Sequence, residues 1–390
     1  MLHASIISRM SSDLDPTILL LRDLVAIDSI NPSLVPGARG EADVGRRLAA
    51  ELGALGLAVE ITEVAPGRPN VVGVLEGRRP GRSLMLCGHT DTVGVTGMSR
   101  PFDPDTRDGR LYGRGAQDMK GGVAAMVGAV RRLVESGGLA TGRLIVAAVA
   151  DEEHASLGAD ALVARWRADA AVVTEPTGLD VAVAHKGFQW VVVETRGRAA
   201  HGSRPREGRD AILRMGRVLS RLELLDATLQ RDVRHPLLGS ASLHASTIEG
   251  GQELSSYPAR SSLQFERRTL PGEPSNVGLA EATAILETLR EEDPEFDGAA
   301  KMIFGREPYA IDPESPLPDA LIRAAAVARH VPARVGMSFW TDAAILGAAG
   351  IPTVLFGPGG AGLHSTEEYV LIEDVCRCRD VLVELARTIT

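Results

Sequence analysis

Four short apolar runs, at residues 83–87, 144–150, 170–174 and 353–356, set the strongest limit on the fold of this chain. A strand exposed on one side alternates polar and apolar residues, whereas a strand that is apolar throughout has both faces covered. Helical periodicity surrounds the runs, at residues 16–27 (opened by Asp15-Pro16), 41–55, 120–135 and 157–167, and again at 318–329, 341–349 and from 372. A further strand signal lies at 70–75. Short buried strands separated by helices predict an α/β unit with a mostly parallel sheet covered by helices.

The texture changes between these segments. Residues 181–196 alternate in a strand-like way, helices are predicted at 209–224 and 277–291, and strands at 242–248, 261–267 and 301–304. This βαββαβ order suits a small α+β, ferredoxin-like domain with its helices on one face. At roughly 100–200 residues per domain, a chain of this length holds two or three. The expected partition is a discontinuous catalytic domain, residues 1–180 and 308–390, with an inserted domain at 181–307 serving as lid and dimerisation element.

Composition narrows the functional classes. With 44 % hydrophobic and 24 % charged residues the chain can bury a large core, which excludes a disordered or collagen-like protein. A net charge of −9 argues against nucleic acid as a partner, yet is compatible with a carboxylate-lined cation site. Cys87, Cys376 and Cys378 cannot all pair and show no zinc-finger spacing, so reduced thiols are expected. The run 18–27 is broken by Arg22 and Asp23, and residues 6–15 lack the apolar core of a leader. A cytoplasmic protein that does not engage membranes is the resulting expectation.

Ligands of open α/β sheets bind beyond the carboxyl ends of the strands. Here the run 84–87 leads into His89 and Asp91, 144–150 into Asp151, Glu152, Glu153 and His154, 170–174 into Glu175, and 353–356 through a glycine-rich loop into His364. Asp118 precedes the small-residue helix. Imidazoles and carboxylates without thiolate suit zinc or another first-row divalent ion. Residues two apart in an extended segment share a face, so Asp91 can support the His89 imidazole. Neighbouring Glu152 and Glu153 point to opposite sides, leaving one to bind metal and the other to act as a base.

These motifs carry a resemblance. GHTDTV at 88–93, GRGAQDMKGG at 113–122, DEE at 151–153, TEPT at 174–177, AHGSRP at 200–205 and GLHSTEEYV at 362–370 are similar, in this order, to the two-zinc exopeptidase and deacylase superfamily. That group includes acetylornithine deacetylase, succinyl-diaminopimelate desuccinylase, aminoacylase and glutamate carboxypeptidase. The resemblance implies that Asp118 bridges two divalent ions, zinc first with cobalt or manganese as alternatives. His89 and Glu175 would complete one coordination shell, Glu153 and His364 the other. Glu152 becomes the general base acting on a water between the ions, and Asp91 orients His89. His201, on the inserted domain, helps hold the oxyanion, in relatives often from a partner subunit of a homodimer. Arg268 clamps a substrate carboxylate through its guanidinium fork, while Arg267 faces the other side of its strand.

The implied reaction is metal-dependent hydrolysis of an N-acyl amino acid or short peptide, N-acetylornithine deacetylation leading. Desuccinylation, general aminoacylase activity and carboxypeptidase or dipeptidase activity are the alternatives within the superfamily, and a catalytically silent binding protein is the alternative outside it. Two positions depart from the family pattern: Ser255 and Asp210 stand where relatives often carry Asn, Asp210 being compatible with a helix N-cap. The glycines of residues 357–362 fit a dinucleotide fingerprint, but the loop runs to His364 instead of opening a helix, which argues against a dehydrogenase. No G-x-S-x-G elbow supports a serine hydrolase.

Overall fold

The computed structural model describes residues 15–390. The expectation about a leader peptide falls mainly on residues before Asp15, outside those described. The chain divides into two compact units. One runs through Val183 and resumes as Ile311–Val335 and Thr341–Thr390; the other is Ala184–Ala310 with Gly336–Trp340.

In the first unit six strands of a larger mixed sheet lie in the order Ala58–Ala65, Arg68–Glu76, Arg143–Val149, Ser83–His89, Ala170–Val173, Thr353–Leu355. The last four are mutually parallel, and the first two join them antiparallel. Every residue of Ser83–His89 is buried, as its apolar run requires. The antiparallel margin has a local cause. Ala58–Ala65 intersperses Val59, Ile61 and Val64 with Glu and Thr, is only partly buried, and forms a hairpin with Arg68–Glu76 around a tight turn at Gly67.

Helices Pro16–Ala26, Gly121–Glu135, Leu317–Val327 and Ile372–Ile389 pack together, while Ala42–Ala54 lies on the hairpin. Asp15 caps the first of them by accepting the Thr17 N–H at 2.8 Å, with Pro16 preset for the first helical position. Helix Gly121–Glu135 is buried over most of its length, and its small residues allow close approach. Gly122 lies so near Thr174 that a Cβ would meet the Thr174 carbonyl oxygen at 2.0 Å.

A second, four-stranded sheet of the same unit pairs Asp105–Arg107 with Arg110–Tyr112, Arg110–Tyr112 with Tyr369–Leu371, and Tyr369–Leu371 with Gly360–Ala361. Pairing of Tyr112 with Tyr369 sets the loop after Tyr112 beside the loop before Tyr369. Those loops carry Asp118 and His364.

The second unit contains the βαββαβ order: Gly187–Arg196, helix Ala211–Arg231, Ser242–Gly250, Arg260–Thr269, helix Val277–Glu292 and Asp297–Arg306. Its sheet order is Ser242–Gly250, Arg260–Thr269, Gly187–Arg196, Asp297–Arg306, antiparallel throughout. Alternate strand residues Val191, Val193, Leu263 and Phe265 form the core with Met215, Val218 and Leu286 of the helices. The strand signal at 181–196 is two strands, Val181–His185 and Gly187–Arg196. The first helix runs past the expected residue 224 to Arg231, because no glycine or proline stops it.

Cys87, Cys376 and Cys378 are free thiols. Among the described residues no helix is long and apolar enough to cross a membrane.

Candidate metal centre

Strands Arg143–Val149, Ser83–His89 and Ala170–Val173 run parallel, with His89 opposite Val149 and Cys87 opposite Val173. Their carboxyl ends therefore reach one edge together, and the residues that follow converge there. Asp118 enters the same edge from the irregular turn ahead of helix Gly121–Glu135, in non-helical backbone (φ −115°, ψ 94°). His364 lies on the loop that leads into Tyr369–Leu371, in the left-handed region at φ 57°. That conformation is sparsely populated for a side chain other than glycine, and such positions cluster at functional sites.

His89 Nε2 stands 3.0 Å from Asp118 Oδ1 and 3.9 Å from both Glu152 Oε2 and Glu175 Oε1. His364 Nε2 stands 3.1 Å from Glu153 Oε2 and 3.4 Å from Asp118 Oδ2. Asp118 thus turns one oxygen toward each histidine. Two sets of donors, His89 with Asp118 and Glu153, and His89 with Glu152 and Glu175, each have their ligand atoms within 4.8 Å of one another.

The electrostatics describe a buried concentration of negative charge. Burial pushes Glu152 and Glu175 well above the usual carboxylate range, and neighbouring carboxylates add to the rise. Burial and the Asp118 charge push Glu153 up to about 7. Asp118 is also penalised by burial, but hydrogen bonds from His364 and His89 outweigh that and hold its carboxyl below the usual range. Asp118 and Glu153 in turn raise His364 to about 10. His89 is raised well above its ordinary value because its bonds to Asp118 and Asp91 overcome burial.

The donor set fits divalent cations. Four carboxylates this close cannot all ionise unless a cation compensates them. Glu153 Oε1 is buried with no hydrogen-bond partner among the described residues, an acceptor in need of a positive partner. The nearby Cys87 thiol offers no competing thiolate, because burial pushes it well above its ordinary range.

A buried layer behind the donors fixes them. Asp91 accepts the N–H of Glu152 on Oδ1 and that of Glu153 on Oδ2, each at 3.1 Å. Its backbone carbonyl lies 3.0 Å from His89 Nδ1, and its carboxylate 3.5 Å from the same nitrogen. Asn31, Arg68, Glu41 and Asp151 complete the layer; of these only Asp151 stood among the strand-exit residues, without a role of its own. Asn31 Nδ2 donates to both Asp91 and Asp151, Arg68 Nη1 donates to Asp151 at 2.6 Å, and Arg68 forks onto Glu41 at 2.6 and 2.9 Å. The one local hint was a charged residue, Arg68, at the head of a buried strand. Asp342, just ahead of helix Ala343–Ala348, is near enough to raise Glu152 and Glu175.

In the second unit His201 is exposed, with Nδ1 2.8 Å from Ser203 Oγ. Arg268 donates to Glu266 at 2.6 Å and lies over the Phe188 ring, 5.7 Å from its centroid. Arg267 takes the opposite face, fully buried, with Glu273 and Glu281 around its guanidinium. Asp210 caps its helix by accepting the Leu213 N–H at 2.9 Å, and the Ser255 carbonyl accepts the Gly202 N–H at 2.7 Å.

The model of peptidase family M20/M25/M40 matches residues 85–388. The chain belongs to this family. An acetylornithine deacetylase of Myxococcus xanthus is 32 % identical over 334 residues, spanning 80 % of this chain and 82 % of its own. A tripeptidase of Staphylococcus aureus superposes with a TM-score of 0.80 at 20 % identity, over 96 % of this chain and 97 % of its own. A Bacillus subtilis protein described as a dinuclear metal-binding peptidase from the M20 family superposes with a TM-score of 0.73 at 16 % identity, over 95 % and 97 % of the two chains. This M20 protein is a metal-dependent hydrolase. Its relatives span deacetylase and peptidase chemistry on one architecture, so the fold itself does not select the substrate.

Proposed function

We propose that this M20 enzyme hydrolyses the amide bond of an N-acylated amino acid, with N-acetylornithine as the first substrate to test. The observation that carries the reading is the Asp118 carboxylate, which offers Oδ1 to the His89 side and Oδ2 to the His364 side. Asp118 would bridge two divalent ions, with His89 and Glu175 on one and Glu153 and His364 on the other. Zinc is the first candidate, cobalt and manganese the next. When bound, such ions polarise the amide carbonyl and make water a stronger acid.

The chain's own groups divide the remaining work. Glu152 takes a proton from the attacking water and returns it to the leaving nitrogen, a task suited to a carboxyl whose proton affinity burial has raised. Asp91 holds the His89 ring through Nδ1, leaving Nε2 directed at the donors. His201 supplies a donor to the developing oxyanion, and Arg268 pairs with the substrate carboxylate through its fork. We assign catalysis to the first unit, and lid and homodimerisation roles to the second. The edge strands Ser242–Gly250 and Asp297–Arg306, with Ile248 and Ile303 exposed, support that pairing. A cytoplasmic location accords with such a substrate.

The test is a hydrolysis panel of acetyl, succinyl and longer-acyl amino acids and dipeptides on metal-reconstituted protein, run beside Glu152→Gln. The reading expects acetylated basic amino acids to lead and Glu152→Gln to keep its metal while losing most turnover. Preference for a succinyl substrate or a dipeptide would replace the specific substrate. Full turnover by Glu152→Gln would reject the base.

A further inference from the structure

Glu368 carries a buried carboxylate that is not itself among the proposed metal ligands, yet four hydrogen bonds converge on it. Oε1 accepts the backbone N–H of Gln117 at 2.9 Å and of Asp118 at 3.1 Å. Oε2 accepts the backbone N–H of Gly115 at 3.0 Å and Arg114 Nη1 at 2.6 Å. A carboxylate has about four acceptor positions, two on each oxygen, so all are filled. Arg114 extends the clamp, with Nη2 donating to the Ser365 carbonyl at 2.9 Å and Nε to the Gly94 carbonyl at 3.2 Å. The Gly113 N–H returns to the Glu368 carbonyl at 3.1 Å.

All four donors belong to the turn that ends in Asp118, three of them as backbone amides, and the fourth, Arg114, also bonds the residue after His364. The turn's own sequence permits the geometry: Gly115 lies at φ +78°, where a Cβ would meet Thr92 Cγ2 at 2.7 Å. Neither the short Tyr112–Tyr369 pairing nor helix Gly121–Glu135 fixes the residues between them. Backbone bonds of Arg114 to Pro101, Ala116 to Gly113 and Lys120 to Gly115 shape the turn, and the Glu368 carboxylate gathers its Gly115, Gln117 and Asp118 amides onto one group.

We propose that Glu368, braced by Arg114, is a positioning residue that sets the Asp118 carboxylate against the His364 ring and so fixes the ion held between them. The inference rests on the reading of this edge as a two-ion site. It requires an acceptor on both oxygens of residue 368. Glutamine has the same shape, but in either amide orientation its NH2 meets two donors, Gln117 and Asp118 on one side or Gly115 and Arg114 on the other.

The experiment is a stepwise cobalt(II) titration of the metal-stripped full chain, followed by visible absorption and calorimetry, with kcat and KM measured alongside. Wild type takes up two ions. Glu368→Gln is expected to hold one of them with wild-type affinity and to bind the other about 10–100-fold more weakly, with kcat reduced and KM nearly unchanged. Glu367→Gln, an exposed neighbour, should titrate as wild type. A merely structural part for Glu368 would lower the melting temperature of the metal-free protein and leave both affinities unchanged, and that result overturns the proposal. Should Glu368→Gln fail to fold, Arg114→Lys decides. Lysine keeps the charge but cannot span Glu368, Ser365 and Gly94 together, so the same ion should weaken, and two wild-type affinities would refute the clamp. Wild-type protein that takes up no second ion would instead remove the two-ion reading, and the clamp with it.

Discussion

Asn31 donates through Nδ2 to Asp91 Oδ2 across 2.8 Å, inside the protein and 60 positions away in sequence. The same nitrogen reaches Asp151 Oδ1 at 3.0 Å, where the Arg68 guanidinium also arrives. A neutral amide therefore joins two buried carboxylates that would otherwise repel, and Asp91 in turn holds the amides of Glu152 and Glu153. Orientation of the donors begins here, behind the side chains that converge at the strand ends.

Asn31→Ala should lower turnover or metal affinity about 10–100-fold, the usual cost of losing an outer-layer partner. Asn31→Asp should be worse, since it adds a third carboxylate to Asp91 and Asp151. Metal titration and initial rates check both. Wild-type values in Asn31→Ala would show that the two backbone amides alone suffice to hold Asp91.

Gly122→Ala should be damaging although alanine favours helices. Its Cβ would meet the Thr174 carbonyl at 2.0 Å and the Thr174 side chain at 2.8 Å. Backbone cannot yield cheaply, so a loss of roughly 1–3 kcal/mol is expected, with weaker metal retention because Thr174 adjoins Glu175. Gly216→Ala, on an exposed helix position with nothing within 4 Å, should instead stabilise by about 0.5–1 kcal/mol. Denaturant unfolding of the two variants reads the opposite signs.

The parallel centre of the sheet was legible because each of its strands is apolar from end to end, and its polar exits named His89, Glu152, Glu153 and Glu175. The strand Ala58–Ala65 was not read, because its alternation breaks at Thr62-Glu63 and it lies at the sheet margin, where burial is partial. Asn31, Arg68 and Glu368 escaped for a different reason. Their partners lie 60, 83 and about 250 positions away, and a hydrogen bond between distant segments leaves no periodic trace in either one. Glu368 stood inside a quoted motif, but nothing local distinguishes its buried carboxylate from that of exposed Glu367.

Asp15 ties the first helix to the last by accepting Arg379 Nη1 at 2.5 Å while capping Thr17. Burial works against its ionisation, but the Arg379 and Thr17 bonds outweigh it and hold the carboxyl below its ordinary range. A carboxyl lowered on folding adds stability above its unfolded value, and that contribution fades as pH falls through the folded value. Asp15→Asn should therefore be less stable than wild type near neutrality, with the gap narrowing as the pH drops below about 4. Urea midpoints across that range measure it; a gap independent of pH would assign the effect to capping geometry alone.

Arg268→Ala should raise KM about tenfold or more for substrates bearing a free carboxylate, and Arg268→Lys should recover only part of that, because an ammonium lacks the fork. Steady-state kinetics on matched acid and amide substrates separate the cases. Equal losses on both would place Arg268 with Glu266 and Phe188 as a packing group.

The most direct test is the metal content of the full chain after stripping and equilibration with zinc, compared between wild type and Asp118→Asn. An Asp118 carboxylate with one oxygen toward His89 and the other toward His364 predicts two ions per chain in wild type and a marked loss of both from Asp118→Asn. A wild-type chain that retains no zinc, or an Asp118→Asn chain that retains as much as wild type, would contradict the account.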